Sequence, residues 1–351
     1  MLRVFEAFAG YGSQSIALRN LGIEHEVVAI SEIDKYAIKA YEAIHGPVLN
    51  LGDISKIDPK DIPQHDLFTY SFPCQDLSVA GKQAGLGKGT RSGLLYECEK
   101  IIEYCRPKYL LLENVKNLVG KKFKADFDKW LEYLEGLGYT NYWQVLNAKN
   151  YGVPQNRERV FVISILGEHE PFEWPTPIPL EKCIADILED EVDEKYYLSD
   201  ELVDRFKQSI KKDKYPFGKE YKVIGTTVEN EEEKGTNSRG WVYDTNGCIS
   251  TLTATDYKQP KQIAEMDLRG IKEHYSDNSF RIRKLTPREC FRLMGMRDGD
   301  IDKIQAAGIS NTQQYKMAGN SIVIDVLEAI FKNLFKGNKY EKNIRWKITK
   351  M

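Results

Sequence analysis

Cys74 lies in the run Ser71-Phe72-Pro73-Cys74-Gln75, and the residues downstream of it are suited to making a thiol reactive. Residues 80–93 carry five glycines and three cations, Lys82, Lys88 and Arg91. Cations hold a cysteine as thiolate, the form that attacks electrophilic carbon. A glycine-rich cationic stretch also suits a lid that closes over an anion. The plain alternative is that Cys74 is a small buried hydrophobe, as most free cysteines are. A carboxyl group, Glu113, stands in Glu113-Asn114-Val115, and two forked cations stand in Gln155-Asn156-Arg157-Glu158-Arg159. Such arginines could pair with surface acids or aim paired donors at a polar substrate.

The elements around these residues predict an open α/β sheet. Residues 66–70 are aromatic, aliphatic and β-branched and read as a buried strand that Pro73 ends, which puts Cys74 just past a strand's carboxyl end. Residues 2–7 form a first strand, followed by Phe8-Ala9-Gly10-Tyr11-Gly12-Ser13 and a helical pattern through Ile16, Ala17, Leu18 and Leu21. Strand, glycine turn and helix open a nucleotide-binding unit, although only two of the three fingerprint glycines are present. A second strand, 27–30, ends at Ser31-Glu32, and Gly52-Asp53-Ile54 places another carboxylate at a later strand end. Two acids at matching strand ends point to an adenosine-type ligand. Residues 94–105 read as a helix with Cys98 and Cys105 on its core face, and 109–112 as a strand leading into Glu113. Asp126 is expected to cap a helix ending near Gly136, and 143–146 and 160–166 to be the last strands of the sheet.

Beyond the proline-dense run 174–179 the composition changes. Residues 181–201 are acidic and read as a solvated face. Residues 205–222 mix lysines with Tyr215, Phe217 and Tyr221, which suits phosphate contact as well as it suits a solvated surface. Residues 229–233 look like a loop tip, and 237–255 are β-rich. Thr286-Pro287-Arg288-Glu289 is a capping box with proline at the first helical position, so a helix starts there and runs through Met294. Residues 315–321 lead into an amphipathic helix with Ile322, Val323, Val326, Leu327, Ile330, Phe331 and Leu334 inward, followed by a basic tail.

At 351 residues the chain can bury a large core beside a smaller one, and its 42% hydrophobic and 29% charged residues are those of a soluble globular protein. No run suits a bilayer and no signal peptide is expected. Six cysteines without a C-x-x-C pair suggest neither a disulfide framework nor a zinc site, so a reducing cytoplasm is the expected location and no metal is expected. The net charge of −2 argues weakly against a nucleic-acid partner but says little about local patches.

Taken in order, Phe8-Ala9-Gly10-Tyr11-Gly12, Ser71-Phe72-Pro73-Cys74-Gln75, Glu113-Asn114-Val115, Gln155-Asn156-Arg157-Glu158-Arg159, residues 283–290 and Ala318-Gly319-Asn320-Ser321 resemble the DNA cytosine-5 methyltransferases. The resemblance covers nearly the whole chain outside 176–280. Glu6 stands where the family usually has Asp, and Ser13 where a further glycine is common. It implies a Rossmann-like S-adenosylmethionine-dependent methyltransferase sheet with helices on both faces, plus a smaller β-rich target-recognition domain. The implied division is 1–175 for catalysis and cofactor, 176–282 for target recognition, and 283–351 for a hinge helix and a C-terminal helix returning to the catalytic domain.

By resemblance Cys74 attacks carbon 6 of cytosine, which turns carbon 5 into a nucleophile. Glu113, carrying a proton that a closed, dry site favours, relieves the charge at ring nitrogen 3. Arg159 holds the carbonyl oxygen, and Arg157 positions Cys74 or the backbone. S-adenosylmethionine is the implied methyl donor, held by Phe8, Ala9, Gly10, Tyr11, Gly12, Glu32, Ile33, Asp53, Ile54, Pro73, Leu94, Asn320 and Ile322. The partner is duplex DNA with the target cytosine flipped out, contacted by Ala80, Lys82, Arg91, Ser238, Arg239 and Thr251. Ala80 and Ser238 fill the gap it leaves, and Thr251-Leu252 matches the one short feature that recognition domains share. The expected enzyme is a monomer of a bacterial or phage-infected cell's cytoplasm, with any restriction endonuclease acting separately. A tRNA-methylating enzyme of the same fold and a catalytically dead DNA-binding relative are the alternatives. The first usually carries a Cys-Phe-Thr run in its recognition domain, which this chain lacks, and intact Cys74, Glu113 and Arg159 speak against the second.

Overall fold

The computed structural model describes residues 1–73, 92–210, 223–227, 240–265 and 281–337. In chain order the elements are β1 (Leu2–Ala7), α1 (Ser13–Asn20), β2 (His25–Ser31), α2 (Lys35–His45), β3 (Leu67–Tyr70), α3 (Leu95–Cys105), β4 (Tyr109–Val115), α4 (Lys124–Gly136), β5 (Tyr139–Asn147), β6 (Gln155–Asn156) and β7 (Glu158–Leu166). There follow α5 (Asp200–Ile210), β8 (Val223–Thr226), β9 (Trp241–Asp244), β10 (Ile249–Ser250), β11 (Gln262–Glu265), β12 (Arg281–Lys284), α6 (Pro287–Arg292), α7 (Asp298–Ala306), α8 (Asn311–Asn320) and α9 (Ile324–Leu334). They fall into two units, Met1–Asn147 with Glu158–Pro177 and Ile322–Met351, and Ala148–Arg157 with Ile178–Ser321.

In the first unit, strand order β2-β1-β3-β4-β7-β5 makes one six-stranded sheet. β2, β1, β3 and β4 run parallel, and β7 is antiparallel to both of its neighbours. Strands buried on both faces need apolar residues throughout, which is why β3 is a continuous run with all four residues buried. The pleat sorts side chains by parity. Phe5, Ala7, Phe68, Tyr70, Leu110, Leu112, Val160 and Val162 share a core with the inner faces of α3 and α4. Phe5 and Phe68 stack at 5.1 Å, and Phe68 and Tyr70 at 5.2 Å. The opposite face takes α1 and α9, which pack on each other. There the Tyr109 ring meets Phe335, just past α9, edge-on at 5.4 Å.

The topology also decides what collects at one edge. Parallel strands end on the same side, so the residues after β1, β2, β3 and β4 emerge together. β7, running the other way, begins there.

Three local expectations are corrected. Asp126 is not the cap of α4; it lies in the first turn, and Phe123 occupies the cap position without a side-chain bond. An acid there still favours the positive end of the helix dipole. β5 starts at Tyr139, four residues earlier than expected, because Thr140 and Asn141 on the sheet's last strand give no apolar signal. Residues 311–320 form the helix α8, which the sequence pattern had left as a lead-in.

In the second unit, order β12-β11-β9-β8 makes a four-stranded sheet over Phe206, Val242, Ala264 and Ile282, and β10 pairs with β6. The capping box of α6 is present in full: Thr286 Oγ1 accepts from Glu289 N at 3.2 Å and Glu289 Oε2 from Thr286 N at 2.8 Å. The helix ends at Arg292, two residues short of the expected Met294. Glu289 also takes both forks of the fully buried Arg283, at 2.7 and 2.8 Å. The acidic stretch 181–201 is not wholly solvated, since Glu189 pairs with Arg288 at 3.4 Å and Glu194 with Arg281.

Candidate active site

The turn after β1 is tied to β2 and leaves open space beside Gly10. Phe8 adopts φ 55° and donates its N–H to Ser31 O on β2 at 2.7 Å. Gly10 N donates to Glu32 Oε2 at 2.9 Å, while Glu32 Oε1 accepts from Ile33 N and Asp34 N at 2.8 and 2.9 Å. Asn50 clamps Glu32 from the other side, donating to its carbonyl at 3.0 Å and accepting its N–H at 3.2 Å. Gly12 is required twice over. Its φ is 81°, and a Cβ there would lie 2.5 Å from His45 Nε2 and 2.7 Å from the Tyr41 ring. At Gly10 a Cβ would meet nothing within 4 Å, so that side of the turn is open. Open space beside Gly10, the half-buried Phe8, the exposed Ile33 (74%) and a fixed carboxylate suit a nucleoside.

Other members of the expected cofactor set stand differently. Ala9, Tyr11, Ile54 and Ile322 are buried side chains. Asp53 does not end a strand: the chain there makes only the bridge Ile30↔Asn50, and Asp53 caps a short turn, accepting from Ser55 N and Oγ. Those bonds hold its carboxyl below the usual range. Pro73 and Leu94 are half-buried, and Asn320 is exposed and belongs to the second unit.

Beneath the turn, Glu6 has no exposed surface and accepts from Ser15 Oγ at 2.8 Å and the Tyr41 hydroxyl at 2.9 Å. Burial pushes its pKa up to about 7, against the lowering effect of those bonds. A raised carboxyl favours the folded state below its unfolded value near 4.5 and loses that contribution as pH rises through about 7. The expected loss is about 3 kcal/mol of unfolding free energy. In Glu6→Gln this component of the pH dependence should vanish. Denaturant titrations of both proteins from pH 4.5 to 8 measure it, and parallel curves would remove Glu6 as its source.

At the same sheet edge, Arg159 lies opposite Val115, two residues along from Glu113, so the two long side chains are diagonal neighbours. Arg159 Nε lies 3.2 Å from Glu113 Oε1, with the side chains 17% and 10% exposed. Asn114, buried, donates from Nδ2 to Phe72 O at 3.1 Å and so pins the chain one residue before Pro73. Neither Asn114 nor Asn50 was assigned a task from sequence.

Arg157 goes elsewhere: it is buried in the second unit and donates to backbone carbonyls there. Thr251, also in the second unit, donates to Asn156 O at 2.7 Å. Cys74, the stretch containing Ala80, Lys82 and Arg91, and Ser238 and Arg239 lie outside the described residues. Of the other cysteines, Cys98 and Cys290 are buried thiols pushed far up by burial, and burial raises Cys105 to about 11. These three do not suit a thiolate nucleophile. Among the described residues no cluster of three His, Cys, Asp or Glu could hold a metal, and no helix is long and apolar enough to cross a membrane.

A sheet of this order, with a glycine turn after β1 and an acid after β2, defines a Rossmann-like fold of the methyltransferase kind. The Dnmt2 methyltransferase of S. pombe superposes with a TM-score of 0.69 at 20% identity, covering 96% of this chain and 99% of that one, a likeness that speaks for the fold. The family model described as C-5 cytosine-specific DNA methylase matches residues 2–336. The type II methyltransferase M2.ScrFI of Lactococcus lactis subsp. cremoris is 41% identical over 96% of this chain and 99% of its own length. The orphan methyltransferase M.SPBetaI of Bacillus phage SPbeta is 33% identical over 95% and 97%. The chain belongs to the C-5 cytosine-specific DNA methylase family and is an enzyme of that activity.

Proposed function

We propose that the chain methylates carbon 5 of a cytosine within a specific duplex sequence, with Cys74 as nucleophile. The observation that carries this reading is the sheet edge, where the Phe8–Gly12 turn with Glu32, the pinned chain entering Pro73, and the Glu113–Arg159 pair emerge together. The target atoms are closed off in a duplex, so the cytosine turns out into the site. Cys74 adds to carbon 6 as thiolate, and the ring's electrons move toward ring nitrogen 3 and carbon 5. Glu113 shares a proton with nitrogen 3, and Arg159, already held against Glu113, donates to the carbonyl oxygen. S-adenosylmethionine, when bound, supplies the methyl group. Loss of the carbon-5 proton then expels Cys74 and restores the ring.

Phe8, Gly10, Glu32 and Ile33 hold the cofactor's nucleoside, with Pro73 and Leu94 beside them. Residues 176–282 read the target sequence and 283–351 return the chain to the catalytic part. The enzyme acts as a monomer in the cytoplasm of a bacterial or phage-infected cell, and a cognate restriction endonuclease, where one exists, acts separately. Expression in a methylation-free bacterial host, followed by sequencing that maps 5-methylcytosine, tests the function. One short methylated motif is expected; unmodified DNA from cells containing folded protein would sink the reading.

A further inference from the structure

Just past Thr251-Leu252 the chain makes a tight turn, residues 253–258, whose small polar groups are spent on one another. Asp256 N donates to Thr253 O at 3.1 Å, and Lys258 N to Thr255 O at 3.0 Å. The Asp256 carboxylate accepts from Thr253 N at 3.1 Å and from Thr253 Oγ1 at 2.6 Å. Thr253 Oγ1 also lies 3.0 Å from Thr255 Oγ1. With the Thr253 proton given to Asp256, the Thr255 hydroxyl is the donor in that bond. The proton of Thr251 goes to Asn156 O, so Thr251, expected to contact DNA, has none left to give a phosphate. Asp256 lies 4.0 Å from the buried Lys261 as well, and the turn's acid is thus balanced from inside. All these residues belong to the second unit.

What the turn leaves over is cationic. Lys316 Nζ, from α8, lies 4.8 Å from the centre of the Tyr257 ring, and Lys258 Nζ lies 5.9 Å from the same centre. Lys258 is exposed, and Tyr257 and Lys316 are half-buried. Among the described residues neither lysine pairs with a carboxylate. A ring holds one ammonium favourably, but a second gathered on it adds repulsion. Docking α8 does not explain the arrangement. Gly319, one turn on from Lys316 along α8, already sits so close to the turn that a Cβ on it would lie 2.2–2.4 Å from backbone atoms of Thr253 and Ala254. An anion set between the two ammoniums turns their repulsion into a shared attraction. We propose that Tyr257, Lys258 and Lys316 form a phosphodiester site that grips the backbone of duplex DNA without reading its bases. This rests on the function proposed above, which makes duplex DNA the substrate. Lysines act as point charges, which suits a backbone that presents the same charge at every step whatever the sequence.

The test measures binding to two short duplexes, one carrying the methylated motif and one of unrelated sequence, over a series of salt concentrations. Lys258→Gln and Lys316→Gln should each weaken binding to both duplexes by the same factor, to within about twofold, and flatten the slope of log affinity against log salt by about one. The double variant should flatten it by about two, while Lys258→Arg and Lys316→Arg keep the wild-type slope. Tyr257→Leu should weaken both bindings alike. Thermal unfolding midpoints equal to that of wild type show that each variant is folded. A wild-type slope in the folded double variant overturns the proposal, and so does a loss confined to the motif duplex, which would make these residues base readers. Tripolyphosphate held through the two lysines, with duplex binding indifferent to their loss, would make this a small-anion site and also overturns it. Each of these results spares the enzyme assignment. A folded wild type that binds no duplex would instead strike the function on which the proposal rests.

Discussion

Duplex DNA with 5-fluorocytosine at the target position is expected to trap the protein as a covalent adduct that survives denaturing electrophoresis. The proposed cycle ends when the carbon-5 proton leaves and Cys74 is expelled, and fluorine cannot leave as a cation. The cycle therefore stalls after methyl transfer, and the adduct should be strongly promoted by S-adenosylmethionine. Cys74→Ala should form none, with turnover on normal DNA down by about 10⁴-fold or more, as when a covalent nucleophile is removed. Three described thiols are unfit to replace it: Cys98 and Cys290 are buried with strongly raised pKa values, and burial pushes Cys105 up to about 11. An adduct that persists in Cys74→Ala, or that maps by mass spectrometry to Cys98 or Cys290, overturns the assignment. A dead DNA-binding relative would give no adduct in any variant, and a tRNA enzyme would prefer substituted RNA.

What could be read from the chain alone was what is local. β1, the Phe8–Gly12 turn and β2 leading to Glu32 follow one another within about thirty residues, and each carries its own signal: an apolar run, two glycines, an acid at a strand end. The α6 capping box was legible for the same reason, its four residues being consecutive. Residues that act across the fold were not. Asn50, Asn114 and Gln155 find their partners 18, 42 and 97 positions away, and a single amide side chain has no periodicity to betray it. α8 escaped because Asn311-Thr312-Gln313-Gln314 lacks an apolar stripe; Tyr315 anchors it by donating to Leu285 O at 2.6 Å. The two arginines part company for another reason. Alternate positions of one strand share a face, yet the backbone folds tightly there, with Gln155 N on Val153 O at 2.7 Å and Arg157 N on Gln155 O at 3.0 Å. That turn sends Arg157 into the second unit and leaves Arg159 with Glu113 in the first.

Because Glu113 and Arg159 touch at 3.2 Å and, in the proposed mechanism, serve the same developing charge, their loss should not be additive. Arg159→Ala removes the donor proposed for the cytosine carbonyl oxygen, and kcat should fall by about 10²–10³-fold, the range for one such donor. Glu113→Gln keeps the shape but not the proton, and should cost about 10²–10⁴-fold, the range for a general acid. Affinity for unmodified duplex should change far less in either, because each acts once the base is in the site. Removing Arg159 also takes away the cation that faces Glu113, which is 10% exposed, so Arg159→Ala disturbs the residue it was meant to spare. The double variant should then be slower than either single one by much less than the product of the two factors. Single-turnover methyl transfer on short duplexes gives all four rates, and the adduct-forming rate on 5-fluorocytosine should follow the same pattern. Effects that multiply cleanly would mean that the two groups act at separate steps, and the shared role drawn from their contact would be wrong.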